Sequence, residues 1–185
     1  MPTLFSDDRP SRRIARIGIL LCLSLGFSYL EFLMPAFLPL PGCKPGFANI
    51  VITFCACFCG LREALLLSLL RVCLSSLLFA NITGLVFSLA GALCAYVVLG
   101  LFLLLRPKNV SILGVSVASA AAHNAGQLLA ASVVLGYGLR PNTAVFSYFP
   151  ALLCMGALTG TITGLLLYAL FPALRRAGFS MVREI

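Results

Sequence analysis

Apolar residues fall into six runs of helix-like length along this chain, separated by short polar breaks. The first run, residues 14–34, is about 20 residues long, which at helical rise crosses a hydrocarbon core of about 30 Å. It is longer than the apolar region of a cleaved signal peptide, and no small-residue cleavage site is evident, so it reads as a retained helix. The chain then breaks at Pro41-Gly42-Cys43-Lys44-Pro45-Gly46-Phe47-Ala48-Asn49. Two prolines and two glycines cannot continue a helix, because proline lacks the N–H and glycine relaxes the backbone. A short run at 47–61 leads through Gly60-Leu61-Arg62-Glu63, a tight turn, into a third run at 64–80. Further runs at 85–105, 110–135 and 143–171 are divided by Asn81-Ile82-Thr83-Gly84, Arg106-Pro107-Lys108-Asn109 and the polar loop from Gly136 to Asn142. The pattern predicts an all-α integral membrane protein. Its six transmembrane helices form one compact bundle over residues 14–172, with a polar segment at 1–13 and a tail at 173–185.

Small residues recur every four positions in three of these runs, the spacing that lets helix backbones approach closely in a membrane. Gly18, Cys22 and Gly26 mark such a seam on helix 1. Helix 5 carries Gly114, Ala118, Ala122, Gly126 and Ala130, which predicts a place inside the bundle. Helix 6 carries Gly156, Gly160 and Gly164.

Composition agrees with the pattern. The 185 residues are 61% hydrophobic and 10% charged, against about a quarter charged in soluble domains. The formal net charge of +8 comes from cations at the ends of apolar runs, so it signals topology rather than nucleic-acid binding. With the N-terminus inside, one side of the bundle collects Arg9, Arg12, Arg13, Arg16, Arg62, Arg106, Lys108, Arg175, Arg176 and Arg183. Lys44 and Arg140 remain on the other. Both termini are expected to be cytoplasmic, in a multi-pass protein of the cell membrane whose 41–49 connection faces outward. Seven of eight cysteines lie in apolar runs, and Cys55, Cys57 and Cys59 do not share one helix face, so they read as packing residues. One histidine and scattered carboxylates supply no typical metal site, and no cofactor is implied.

Polar residues inside spans are costly unless they pair or line a cavity, which makes them the candidate chemistry. Depth by helical rise sends Glu31, Asn49, Asn81, His123 and Gln127 to the outer half, with Asn124 adjacent and Lys44 above. Arg71 falls near the middle of helix 3 with Ser68 and Ser75 on its face. Together they suggest an outward pocket for a small-molecule ligand under the first loop. Each also has a structural alternative: Lys44 can snorkel, Arg71 can pair with Glu31 or bond loop carbonyls, and His123, Asn124 and Gln127 can bond neighbouring helices. Glu63 suits a helix N-terminus.

The 41–51 stretch, Gly60-Leu61-Arg62-Glu63-Ala64, Ser68-Leu69-Leu70-Arg71-Val72, Ser88-Leu89-Ala90-Gly91-Ala92 and His123-Asn124-Ala125-Gly126-Gln127 resemble the Gx transporter family, also labelled heptaprenyl diphosphate synthase component I. The resemblance spans about residues 14–172 and departs from the family at Pro45-Gly46-Phe47. It implies a substrate-binding S component like those of energy-coupling factor (ECF) transporters, importing a vitamin-, cofactor- or quinone-precursor-like molecule. Such a protein meets a transmembrane coupling subunit, served by ATPases, through the helix 1 seam. The chain has no phosphate-binding Gly-rich loop with Lys-Ser/Thr, so ATP hydrolysis would belong to a partner. The synthase label implies a second reading, a noncatalytic membrane component of prenyl diphosphate synthesis. Prenyl elongation needs clustered carboxylates to hold Mg²⁺ on diphosphate, whereas after Asp8 only Glu31, Glu63 and Glu184 remain. The chain is therefore not expected to be an enzyme by itself. A third reading, a membrane partner in flavin- or quinone-linked extracellular electron transfer, also follows from the resemblance. One histidine cannot supply both ligands of a bis-histidine haem.

Overall fold

The protein is described here by a computed structural model covering residues 10–33, 46–79, 82–105, 111–136 and 142–176. Lys44, Asn81 and most of the 41–49 connection lie outside the described residues. The elements in chain order are α1 (Pro10–Leu33), α2 (Asn49–Phe58), α3 (Leu61–Leu78), α4 (Ile82–Leu105), α5 (Ile112–Val134), a 3₁₀ turn (Thr143–Tyr148) and α6 (Phe149–Arg176). Among the described residues, three stretches are long and apolar enough to cross a membrane: Pro10–Leu33, Ile82–Leu105 and Thr143–Ala173. They mark the chain as a membrane protein.

Several boundaries differ from those the apolar runs suggest, each for a local backbone reason. α1 begins four residues early, with Pro10 in the first position where its missing N–H costs nothing. α2 is shorter than its apolar run, ten residues or about 15 Å. Gly46 (φ 92°) precedes it and Gly60 (φ 108°) follows it, both in backbone conformations that L side chains rarely adopt. The sixth apolar run divides into the 3₁₀ turn and α6. Pro150 has no N–H to return to Phe146, so the regular α-helix starts just before it, at Phe149.

The bundle is apolar outside and polar within. Leu77 (78% exposed), Ile82 (81%) and Tyr168 (71%) face outward, whereas Ser24, Ser28, Glu31, Arg71, His123, Asn124, Gln127, Thr159 and Thr163 are buried. This is the distribution a lipid solvent requires. α5 packs most extensively, between α4 and α6, while α3 meets α1, α2 and α4, and α2 reaches α6. Phe58 of α2 closes that last contact with an edge-on ring at 5.2 Å from Phe171. Cys55 and Cys57 are fully buried in the apolar cores around α2. Glu63, at the start of α3, pairs with Arg13 of α1 at 2.8 Å.

The glycine seams find different surroundings. A Cβ on Gly160 would stand 2.5 Å from Val117 Cα, one on Gly164 2.8 Å from Leu113 Cα, and one on Gly156 3.1 Å from Ala121 Cα. The α6 seam therefore lies directly on the α5 backbone, along Leu113, Val117 and Ala121. Gly126 of α5 meets the Ala90 carbonyl and Cys94 of α4 equally closely. On α1, by contrast, Gly18, Cys22 and Gly26 are exposed, and neither glycine has a neighbour within 4 Å. α1 instead turns Leu20, Ser24, Ser28 and Glu31 inward.

Gly160→Ala is accordingly expected to destabilise the bundle by about 1–3 kcal/mol through overpacking, whereas Gly18→Ala should leave it unchanged. Thermal denaturation of the purified variants in one detergent checks this; equal melting temperatures would contradict the assigned α5–α6 contact.

Candidate functional site

Four helices send charged or strongly hydrogen-bonding side chains to one level of the bundle. Glu31 lies in the last turn of α1, 5% exposed, and its Oε1 accepts from the Ala48 N–H at 3.3 Å. A carboxylate there suits the positive end of α2. The Asn49 and Ile50 N–H groups turn back to the Gly46 and Phe47 carbonyls, both at 3.0 Å, which forms the turn that starts α2. A Cβ on Gly46 would sit 3.1 Å from Asn49 Nδ2 and 3.5 Å from His123 Cδ2. The glycine is thus needed for its dihedral and for the close approach of this turn to α5.

His123 and Gln127, one helical turn apart on α5, are joined at 2.8 Å between their Nε2 atoms. In this orientation of the amide Gln127 donates, so His123 Nε2 accepts and the ring proton lies on Nδ1. The other side of the imidazole rests on α4 at Gly91, where a Cβ would come within 2.9 Å of both His123 Cε1 and Gln127 Cγ. Gly91 was not distinguishable as a site residue from sequence, since its role is only to leave room. Arg71 is 5% exposed, near the middle of α3, and its charge acts on both Glu31 and His123. Its Nε and Nη2 have no hydrogen-bond partner among the described residues, and neither has Asn49 Nδ2.

The structure thus brings together Glu31, Asn49, Arg71, His123 and Gln127. It separates Asn124, whose Nδ2 donates to the Leu152 carbonyl of α6 at 2.7 Å, on a different face of α5. A helix rotates about 100° per residue, so adjacent side chains on α5 serve different neighbours. Lys44 and Asn81 lie outside the described residues. The cluster joins the last turn of α1 and the start of α2 to the middle of α3 and α5.

Beside Asn49 is a small void of about 10 Å³ with a mixed lining that includes Thr53, Ser68, Ser119, Ile52 and Leu99, which is room for about one water molecule. Ser119 donates to the Ala95 carbonyl and Thr53 to the Asn49 carbonyl, so neither hydroxyl spends its proton on the void. A second hollow of about 280 Å³ lies between α1, α2 and α6 and is almost wholly apolar, with Leu20, Phe27, Val51, Phe54, Leu167 and Leu170 in its wall. Charge therefore concentrates on one side of α2 and hydrocarbon on another.

Arg71→Met should lower thermal stability, because it removes the positive charge that acts on the buried Glu31 carboxylate. Adding Glu31→Gln should restore a substantial part of the loss. Melting temperatures of the single and double variants test the coupling, and strictly additive effects would refute it.

The sequence profile of one family, heptaprenyl diphosphate synthase component I, matches residues 20–170. No curated protein and no solved structure matches the chain. The matched stretch runs from within α1 to within α6 and so contains the whole buried polar cluster. The protein belongs to the heptaprenyl diphosphate synthase component I family.

Proposed function

We propose that the protein is a noncatalytic membrane subunit that holds a small molecule in the cluster of Glu31, Asn49, Arg71, His123 and Gln127. The observation that carries this reading is the arginine itself: a guanidinium 5% exposed in a membrane bundle, with Nε and Nη2 unpartnered among the described residues. Buried donors normally find acceptors, and those that do not are candidates for contact with a ligand. In this proposal all six helices belong to the membrane domain, both termini are cytoplasmic by the distribution of Lys and Arg, and the host membrane is that of the cell. Lys44 and Asn81 are further members of the proposed ligand environment.

The family description supports a subunit that works with prenyl diphosphate synthesis. The two glutamates of the helical domain are already engaged, Glu31 with Ala48 and Glu63 with Arg13. That favours a binding or scaffolding role over Mg²⁺-diphosphate chemistry, with catalysis in a partner. The apolar hollow between α1, α2 and α6 is compatible with a ligand that has a hydrocarbon portion.

A second reading, an S-component-like subunit of an ECF importer, is favoured by the exposed α1 seam. Gly18, Cys22 and Gly26 are exposed and, among the described residues, neither glycine has a neighbour within 4 Å, as a contact for a transmembrane coupling subunit requires.

Native mass spectrometry of the protein released from gentle detergent, with extraction of small molecules, tests the binding role. A stoichiometric molecule present in wild type and lost in Arg71→Gln is expected; an empty wild-type protein would count against it. Pull-downs separate the two readings. Gly18→Leu with Gly26→Leu should abolish recovery of a membrane coupling subunit without changing the melting temperature if the importer reading holds. Recovery of a soluble prenyl synthase, unaffected by these changes, supports the synthesis reading.

A further inference from the structure

Resting on that binding role, we propose that the ligand presents an oxyanion, a carboxylate or phosphate, to a seat formed by the Nε–Nη2 edge of Arg71 and the Nδ2 of Asn49 at the start of α2. The two unpartnered atoms of Arg71 lie on the same side of the guanidinium. Their N–H bonds run nearly parallel and match the two oxygens of a carboxylate or phosphate. Glu31 balances part of the charge of Arg71 while its Oε1 takes the Ala48 N–H, and among the described residues that edge has no acceptor. Asn49 Nδ2 likewise has none among the described residues, and Asn49 is 8% exposed.

These groups belong to one neighbourhood. Arg71 acts on both Glu31 and His123; Glu31 bonds the turn before α2, and His123 packs against Gly46 of that turn. The first α2 N–H groups are turned back on Gly46 and Phe47, so the side chains supply the free donors. The ten-residue helix contributes the favourable direction of its dipole. His123 Nδ1, although unpartnered, faces Gly91 and α4 and is not part of the seat. The remaining donors are Arg71 and Asn49, which select an acceptor-only group over a hydroxyl or a cation.

The oxyanion can come from a lipid headgroup or from a small solute, and the two differ in mass. The full chain in mild detergent is titrated with inorganic pyrophosphate, geranyl diphosphate and geraniol, following its melting temperature, and co-purifying species are weighed by native mass spectrometry. Pyrophosphate and geranyl diphosphate are expected to raise the melting temperature while geraniol, the same apolar body without the oxyanion, does not. Arg71→Lys keeps the charge but loses the fork and should weaken apparent affinity for geranyl diphosphate at least tenfold. Asn49→Ala should weaken it severalfold. Glu31→Gln, which removes a competing negative charge, should tighten it severalfold, an effect a purely structural role of Glu31 would not produce. Arg62→Ala, at the exposed start of α3, should change nothing.

A phospholipid among the co-purifying species that is lost in Arg71→Lys assigns the headgroup as the source. A small phosphate or carboxylate lost in the same variant assigns a solute. Equal shifts from geraniol and geranyl diphosphate, or equal loss in Arg71→Lys and Arg62→Ala, would overturn the proposal. A neutral molecule that co-purifies and departs on Arg71→Lys would refute the oxyanion while leaving the binding role intact. No co-purifying species together with no shift from either diphosphate would refute both.

Discussion

A guanidinium buried inside an apolar bundle is the constraint around which this structure is arranged. Arg71 lies near the middle of α3, where its charge acts on a carboxylate and an imidazole from other helices. Glu31 comes from α1, the Gly46–Ala48 turn from the approach to α2, and His123 from α5. Four helices thereby depend on one another through a single polar neighbourhood. Loss of any one partner leaves a buried group uncompensated, which in a low-dielectric interior is costlier than the loss of its bond.

Close packing supplies the rigidity that this arrangement needs. α4, α5 and α6 meet through glycines whose missing Cβ atoms let backbones touch, at Gly126 on α4 and at Gly156, Gly160 and Gly164 on α5. Without a hydrophobic drive between helices in lipid, such contacts carry much of the association energy. Gly91 uses the same device for another purpose, seating the imidazole of His123 and the stem of Gln127 against α4. His123 is thus fixed from one side by packing and from the other by Gln127, which holds its ring orientation toward Gly46. A preorganised site of this kind loses little entropy when a ligand arrives.

The proposed role is binding rather than turnover. Among the described residues Glu31 and Glu63 are both engaged, with Ala48 and Arg13. The apolar hollow on the other side of α2 gives the same short helix a hydrocarbon face, so α2 separates two environments within 15 Å of chain. The α1 seam and Glu31 lie on different faces of α1, so the proposed ligand and the proposed partner would not compete for one surface.

Much of this was legible in the order of residues. Runs of apolar residues specify six helices, since 3.6-residue periodicity and helix-breaking Pro and Gly act locally. Burial of Glu31, Arg71, His123 and Gln127 follows from the cost of polar groups in lipid. The i, i+4 glycines announce close contacts. What local sequence does not carry is the identity of the neighbour: the seams on α1 and α6 have the same spacing, yet among the described residues only the latter has a helix on it. Likewise His123 and Asn124 are adjacent polar residues, and the packing of α5 alone sends one to the cluster and the other to α6. The run at 47–61 is mostly apolar, so its truncation to ten helical residues emerges only where Gly46 and Gly60 take positive φ. The chain chemistry determined that an arginine had to be buried; tertiary packing decided which edge of it was left open, because hydrogen-bond direction depends on groups far apart in sequence.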